Sequence, residues 1–232
     1  MPVKTPDVMS VGSTPAHGPN FCTSIFFSVN LILVMSIKMA LVSNAGPLVE
    51  PVLLDDVKAH LRVSESDEDV LITSLITAAR VHVEHLLMRK MINQSWSYFL
   101  DQWPDNDTIC LPLNPVSSVN EIEVYDGENN SAAVASTQYY VDVESDPGRI
   151  VWLGAQGKPK PERVANGIEV KFTAGYGDNP EDVPAPLRQA ITLLVTHWYE
   201  RREPVEVGEQ PAQVPMMITT LINPYRCLRI GA

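Results

Sequence analysis

Only three cysteines occur in 232 residues, Cys22, Cys110 and Cys227, and they stand far apart with no CxxC pair. That spacing excludes a zinc-finger pattern and a disulfide framework, and it suits a reducing compartment. Each reads as a small apolar filler. Basic residues are scarce as well: 17 Lys and Arg against 28 Asp and Glu leave a net charge of −11. A protein that holds DNA irrespective of sequence needs a basic face to release counterions from phosphates, so this balance argues against such a binder.

Patterns for chemistry are missing too. Gly175-Tyr176-Gly177 is too short for a phosphate-binding loop and lacks the trailing Lys-Ser/Thr. His197-Trp198-Tyr199-Glu200 has neither a nucleophile nor a glycine elbow beside it. His82 and His85 flank Glu84 at i and i+3, whereas zincin-type sites place His at i and i+4, and no third ligand accompanies them. Asp142, Glu144 and Asp146 alternate along a strand end without a glycine-turned calcium loop, and read as a solvated acidic face. The sequence therefore predicts no enzyme, no cofactor and no metal site.

What is present is enough apolar material, 45% of the chain, for a sizeable core. The first 38 residues differ from the remainder. Residues 21–37 form an apolar run of about 17 residues, the bottom of the transmembrane range and also the size of a signal-peptide core. Lys4 is the leader's basic residue near the start, and no Ala-x-Ala site follows closely. The expectation is an over-long start, with Met39 the natural first residue; a membrane anchor or signal and an ordered arm are the alternatives.

Helical spacing begins at residues 53–63, where Leu53, Leu54, Val57 and Leu61 recur and Asp55 and Asp56 occupy the first turn. Ser66 with Asp69 resembles a capping box, Asp replacing the usual Glu or Gln. A longer helix is expected at about 67–88. Its stripe runs through Leu71, Ile72, Leu75, Ile76, Ala79, Val83, Leu86 and Leu87, with Arg80 and Glu84 outside it.

From residue 92 the period turns to alternation, and strands are expected at 92–100, 108–111, 119–125, 139–143, 149–152 and 168–173. Turn signals separate them, among them Asn114-Pro115, Asp146-Pro147-Gly148 and Asn166-Gly167. Six short strands predict a small antiparallel sheet or sandwich inserted between helices, over about 91–175. Gly175 and Gly177 then permit positive φ in a strand-to-helix turn. Pro184 and Pro186 open the last long helix, whose core face is Leu187, Ala190, Ile191, Leu194, Val195 and Trp198. Glu203-Pro204 ends it. Residues 205–215 are rich in Pro, Gln and Glu and read as extended, followed by the apolar segment 216–222. The fold class is α+β.

Five pieces recur in the order found in one known family. They are residues 51–62 (PVLLDDVKAHLR), Asp67-Glu68-Asp69 with Leu71-Ile72, Leu75-Ile76 and Ala78-Ala79-Arg80, the Gly-Tyr-Gly and Val-Pro-Ala-Pro-Leu-Arg turn, His197-Trp198-Tyr199-Glu200-Arg201-Arg202-Glu203, and Leu221-Ile222-Asn223-Pro224-Tyr225-Arg226. Together they resemble the phage head–tail connector (adaptor) proteins of long-tailed phages and gene-transfer-agent-like particles. The resemblance covers about residues 51–230, and residues 1–38 have no counterpart in it. It implies three parts: an N-terminal extension at 1–38, a connector domain at 39–204 carrying the β-rich insert, and an extended C-terminal arm at 205–232. In that family the helical core is two N-terminal helices plus a long C-terminal one.

By the same resemblance the chain is a structural virion protein at the head–tail interface, present in host cytoplasm during assembly. It implies a ring of about twelve copies, closed by a head-to-tail interface between two different faces of the subunit. The ring's partners would be the portal protein and a stopper or tail-completion protein, with DNA passing through the channel without sequence-specific binding and no membrane involved. The candidate portal-docking residues are Met216, Met217, Ile218, Leu221, Tyr225 and Arg226, because Met suits an adaptable surface and Tyr and Arg favour interface anchors. An apolar cluster this short is buried either in a partner or back on its own domain. A tail-completion or stopper protein and a DNA-packaging accessory protein are the alternatives within virion assembly; a membrane-tethered protein is a third, resting only on residues 21–37.

Overall fold

Apolar residues at alternate positions of two seven-residue strands build the centre of the molecule. The computed structural model describes residues 39–154, 157–201 and 216–226. Its strands are β1 (Met39–Ala45), β2 (Gln94–Leu100), β3 (Thr108–Cys110), β4 (Val116–Tyr125), β5 (Ser131–Ala133), β6 (Tyr139–Asp142), β7 (Arg149–Trp152) and β8 (Ile168–Ala174). Along β8, Ile168, Val170, Phe172 and Ala174 are wholly buried, and β2 places Tyr98 opposite Val170 and Leu100 opposite Ile168. Successive side chains of a strand point to opposite faces, so this set defines one apolar face.

Every pairing between these strands is antiparallel. One sheet has the order β1-β2-β8-β4-β5 and the other β3-β7-β6. Ile109, Ile150 and Trp152 of the smaller sheet share a core with Tyr98, Ile122 and Phe172 of the larger, so the two form a sandwich. All six strands expected from the sequence are present, within three residues at each end. Two were not legible. β5 is three exposed residues, and β1 lies before the first helix, so the sheet draws a strand from outside residues 91–175. Neither has an alternating buried face; both are strands because a neighbour's edge offers hydrogen bonds.

The helices are α1 (Leu54–Leu61), α2 (Asp69–Leu87), α3 (Ala185–Glu200) and α4 (Met216–Ile222). They pack around a second core containing Val57, Ile72, Ile76, Val83, Leu87, Leu187, Ile191, Leu194 and Val195. Residues 185 to 200 give the amphipathic stripe its length, and Leu187, Ile191, Leu194 and Val195 have no exposed surface. Trp198, half-buried, packs on the edge of the same core, its ring 5.8 Å from that of His82 in a T-shaped contact. α2 is long and apolar enough to cross a membrane by composition, yet its stripe is buried against α1 and α3.

Several expectations are corrected here. Ser66 makes no capping box: Glu68 is the N-cap residue of α2 without a side-chain cap, and Asp69 instead receives Lys58 Nζ at 2.6 Å. Aspartate is one methylene shorter than the Glu the motif uses, and α1 supplies a cation within reach. Arg80 and Glu84 are not on an outer face but 6% and 3% exposed. Cys110 is exposed rather than apolar filling, because it occupies an outward position of β3. Gly175 does adopt φ of 153°, where a Cβ would fall 2.4 Å from the Asn93 nitrogen. Gly177 is required for space instead: its Cβ would meet the Asp182 carboxylate.

The C-terminal segment is corrected as well. Residues 216–225 are not extended but form α4 and a 3-10 turn at Asn223–Tyr225. Ile218 and Ile222, one helical turn apart, are 1% and 3% exposed and join the helical core against α3. The short apolar stripe gains more by lying on α3 than by staying in water. Residues 1–38, 205–215 and 227–232, including the apolar run and the Pro-rich part of the arm, lie outside the described residues.

Candidate partner-binding surfaces

The junction of helices and sandwich is built around Glu84. Its carboxylate, 1% exposed, accepts from Arg80 Nη1 (3.3 Å), Lys90 Nζ (3.0 Å), the Met91 amide (3.1 Å) and Gln94 Nε2 (3.1 Å). Arg80 also donates to Glu50, through Nε at 2.7 Å. Burial opposes the charge on Arg80, yet the Glu50 and Glu84 carboxylates outweigh it and hold its pKa above the ordinary value. α2 ends at Met88 in the left-handed conformation, φ 54°, a position glycine usually takes. The turn swings Lys90 and Gln94 back over Glu84. Every acceptor position is used inside the fold, so this cluster fixes geometry and offers nothing to a ligand.

Arg89, the next residue, ties three segments together. Its Nε donates to the Tyr225 carbonyl at 2.6 Å, and its Nη2 pairs with Asp146 of the β6–β7 hairpin. Tyr176 packs beside it, its pKa raised chiefly by burial while the nearby Arg89 pulls it down. The hairpin is itself closed by Asp142, which accepts from Ser145 Oγ at 2.7 Å and Arg149 Nε at 2.9 Å. Those two contacts, the serine first, hold the Asp142 carboxyl below its usual range. Asp142 and Asp146 are thus structural.

On the outer face of the large sheet Glu169 accepts from Ser97 Oγ and from Tyr125 Oη, each at 2.6 Å. The hydrogen bond to Glu169 raises the Tyr125 pKa to about 12. Among the described residues no three His, Cys, Asp or Glu side chains converge as metal ligands.

The six docking candidates divide into two sets. Ile218 is in the core, while Leu221 and Tyr225 are half-buried against it. Met216 and Met217 are 84% and 58% exposed, and Arg226 is exposed. Sequence reasoning brought these residues together as one apolar cluster; the helical turn splits them into an inward and an outward set. Arg89 and Glu84 were missed, and the signal was faint: an i, i+4 charge pair inside an apolar helix, followed by two further cations.

A model of the head completion protein family matches residues 52–228. A chain from the neck of an empty gene transfer agent particle, computed with C6 symmetry, superposes with a TM-score of 0.71 at 25% identity, over 83% of this chain and 98% of that one. A chain from the virion of a native gene transfer agent particle superposes with 0.70 at 24% identity, over 83% and 97%. A third, from the neck of a native particle computed with C12 symmetry, gives 0.66 at 24% over 84% and 98%. No curated protein matches the chain.

Proposed function

The chain belongs to the head completion protein family, and from that premise we propose how it works as a head–tail connector of a virion. It is a structural protein of the head–tail interface. The observation that carries this is the family match itself, which spans residues 52–228 and therefore both the helical layer and the sandwich.

In this reading about twelve copies close head-to-tail into a ring. The helical core of α1, α2 and α3 is the connector core, one side of the ring seats on the portal, and the other offers a platform to the stopper or tail-completion protein. α4 presents Met216 and Met217, and the turn after it Arg226, toward the portal, while Ile218 and Ile222 hold the helix on the body. DNA traverses the lumen, and a net charge of −11 keeps phosphates from adhering to the wall. No step of this role calls for catalysis.

Electron microscopy of the purified full-length protein tests the ring: annular particles support it, and a monomer at all concentrations overturns it. Co-purification with the cognate portal tests the seat. Submicromolar duplex-DNA binding at physiological salt would favour the packaging-accessory alternative instead.

A further inference from the structure

The two ends of the five-stranded sheet are unlike each other, and they match. At one end β1 pairs only with β2 among the described residues, which leaves its other edge open. Its sequence, Met-Ala-Leu-Val-Ser-Asn-Ala, holds no charge and no proline, although those are the usual guards of an open edge. Its single irregularity falls between Ser43 and Ala45, past the apolar residues. Register places Met39 opposite Leu100 and Leu41 opposite Tyr98, both core residues of the sandwich. Met39 and Leu41 therefore point into the layer between the two sheets. They remain 60% and 37% exposed among the described residues.

At the other end β5 pairs, among the described residues, only with β4, and all three of its residues are exposed. Ala132 stands opposite Val124, another core residue, so the same inter-sheet layer continues to this edge. Here the layer is underfilled. Val124, Ala132, Val134 and Pro159 line an open groove of about 460 Å³. Small-molecule sites of this size, roughly 300–1,000 Å³, place a few convergent polar groups on an apolar lining. The lining of this groove mixes alkyl groups with the polar side chains of Asp126, Gln138, Lys160 and Glu162.

We infer that β1 of one copy adds to β5 of the next, seating Met39 and Leu41 in that groove. The inference rests on the ring reading above and names the surfaces that close the ring. Head-to-tail closure needs two different patches on each subunit, and opposite ends of one sheet supply them. Strand addition contributes main-chain hydrogen bonds along the open edge, and alternate side chains fill pockets. Since neighbouring strands alternate in direction, β1 and β5 run the same way across the five-stranded sheet. A ring whose axis follows the strands brings them together as a parallel pair. A segment of the same chain lying on β1 would leave the groove at β5 without an occupant, and a second copy fills both ends at once.

The test uses two full-length variants, Leu41→Lys and Ala132→Trp, one at each edge and both at exposed positions. Light scattering coupled to gel filtration, with electron microscopy, reads their assembly, and thermal melting checks that each folds like wild type. Wild type should form rings and each variant alone should be monomeric. An equimolar mixture should give a discrete dimer, because L41K keeps its groove and A132W keeps its β1. Rings of wild-type size from either variant overturn the inference while leaving the ring reading intact, as they would if residues upstream of β1 cover its edge. Monomeric variants whose mixture yields no dimer overturn it too, since the two surfaces then do not meet each other. A wild-type protein that forms no ring removes the ring reading and this inference together.

Discussion

Arg89 Nε holds the carbonyl oxygen of Tyr225 at 2.6 Å across 136 residues of chain, and its Nη2 holds Asp146 at the same time. One guanidinium therefore fastens the C-terminal segment, the end of α2 and the β6–β7 hairpin. A hydrogen bond to a charged group contributes about 1.5–3 kcal/mol, and half-exposure of Asp146 puts the sum toward the lower figure. Arg89→Met should lower stability by about 1–2 kcal/mol and speed amide exchange across residues 216–226. Unchanged exchange there would mean that Ile218 and Ile222 alone hold the segment.

Glu84 is the acceptor for four donors at a site with 1% exposure. Replacing it with leucine leaves Lys90 and the Met91 amide without this acceptor and strands the Lys90 cation at the junction, while Arg80 keeps Glu50. Removing one partner of a buried ion pair costs about 3–5 kcal/mol. Glu84→Leu should fall in that range by urea denaturation, and Glu84→Gln, which keeps an acceptor, should cost less. Equal losses for the two would assign the site to shape rather than to charge.

The strands with a buried face were legible because alternation is visible in one dimension: Ile168, Val170, Phe172 and Ala174 mark β8 directly. β1 was not, since Met39, Leu41 and Val42 have no buried face of their own and pair only because β2 is there. Arg80 and Glu84 fell outside the apolar stripe, and a helical wheel knows nothing of what packs against it. Glu50, Lys90 and Gln94 come from other elements. The core face of α3 was legible down to Leu194, whereas the docking segment was not. Its five apolar residues, Met216, Met217, Ile218, Leu221 and Ile222, fit either an interface or a core, and only the placement of α3 decides that Ile218 turns inward.

Tyr125 gives the molecule an alkaline dependence. Its folded pKa, about 12, lies above the ordinary tyrosine value near 10. The folded state thus holds this proton more tightly than the unfolded one. The contribution is complete below the unfolded pKa and is lost as pH rises through about 10–12. Wild type should lose stability across that window more steeply than Tyr125→Phe. Parallel curves for the two proteins would show that Glu169 is not restraining the phenol.

Leu194 lies at the centre of the helical core with no exposed surface. Leu194→Asp removes a buried side chain and puts a carboxylate in its place without a partner, several kcal/mol against a total of about 5–15. The variant should not fold, as judged by loss of the cooperative thermal transition. A soluble variant melting like wild type would move α3 out of the core.

Met216 and Met217 separate docking from folding. Deleting residues 205–232 cannot do so, because Ile218 and Ile222 are part of the helical core and their loss would destabilise the body. The two methionines point the other way, 84% and 58% exposed on a helix whose opposite side is anchored. Their unbranched, polarizable side chains adapt to a partner's surface at little cost. Met216→Ser combined with Met217→Ser should therefore shift stability by less than about 0.5 kcal/mol, the usual range for surface changes. The same double variant should weaken co-purification with the portal at least tenfold, about 1.4 kcal/mol of binding. Wild-type retention on the portal with unchanged melting would exclude α4 as the seat. Lost retention together with a lower melting temperature would instead place the methionines in the fold.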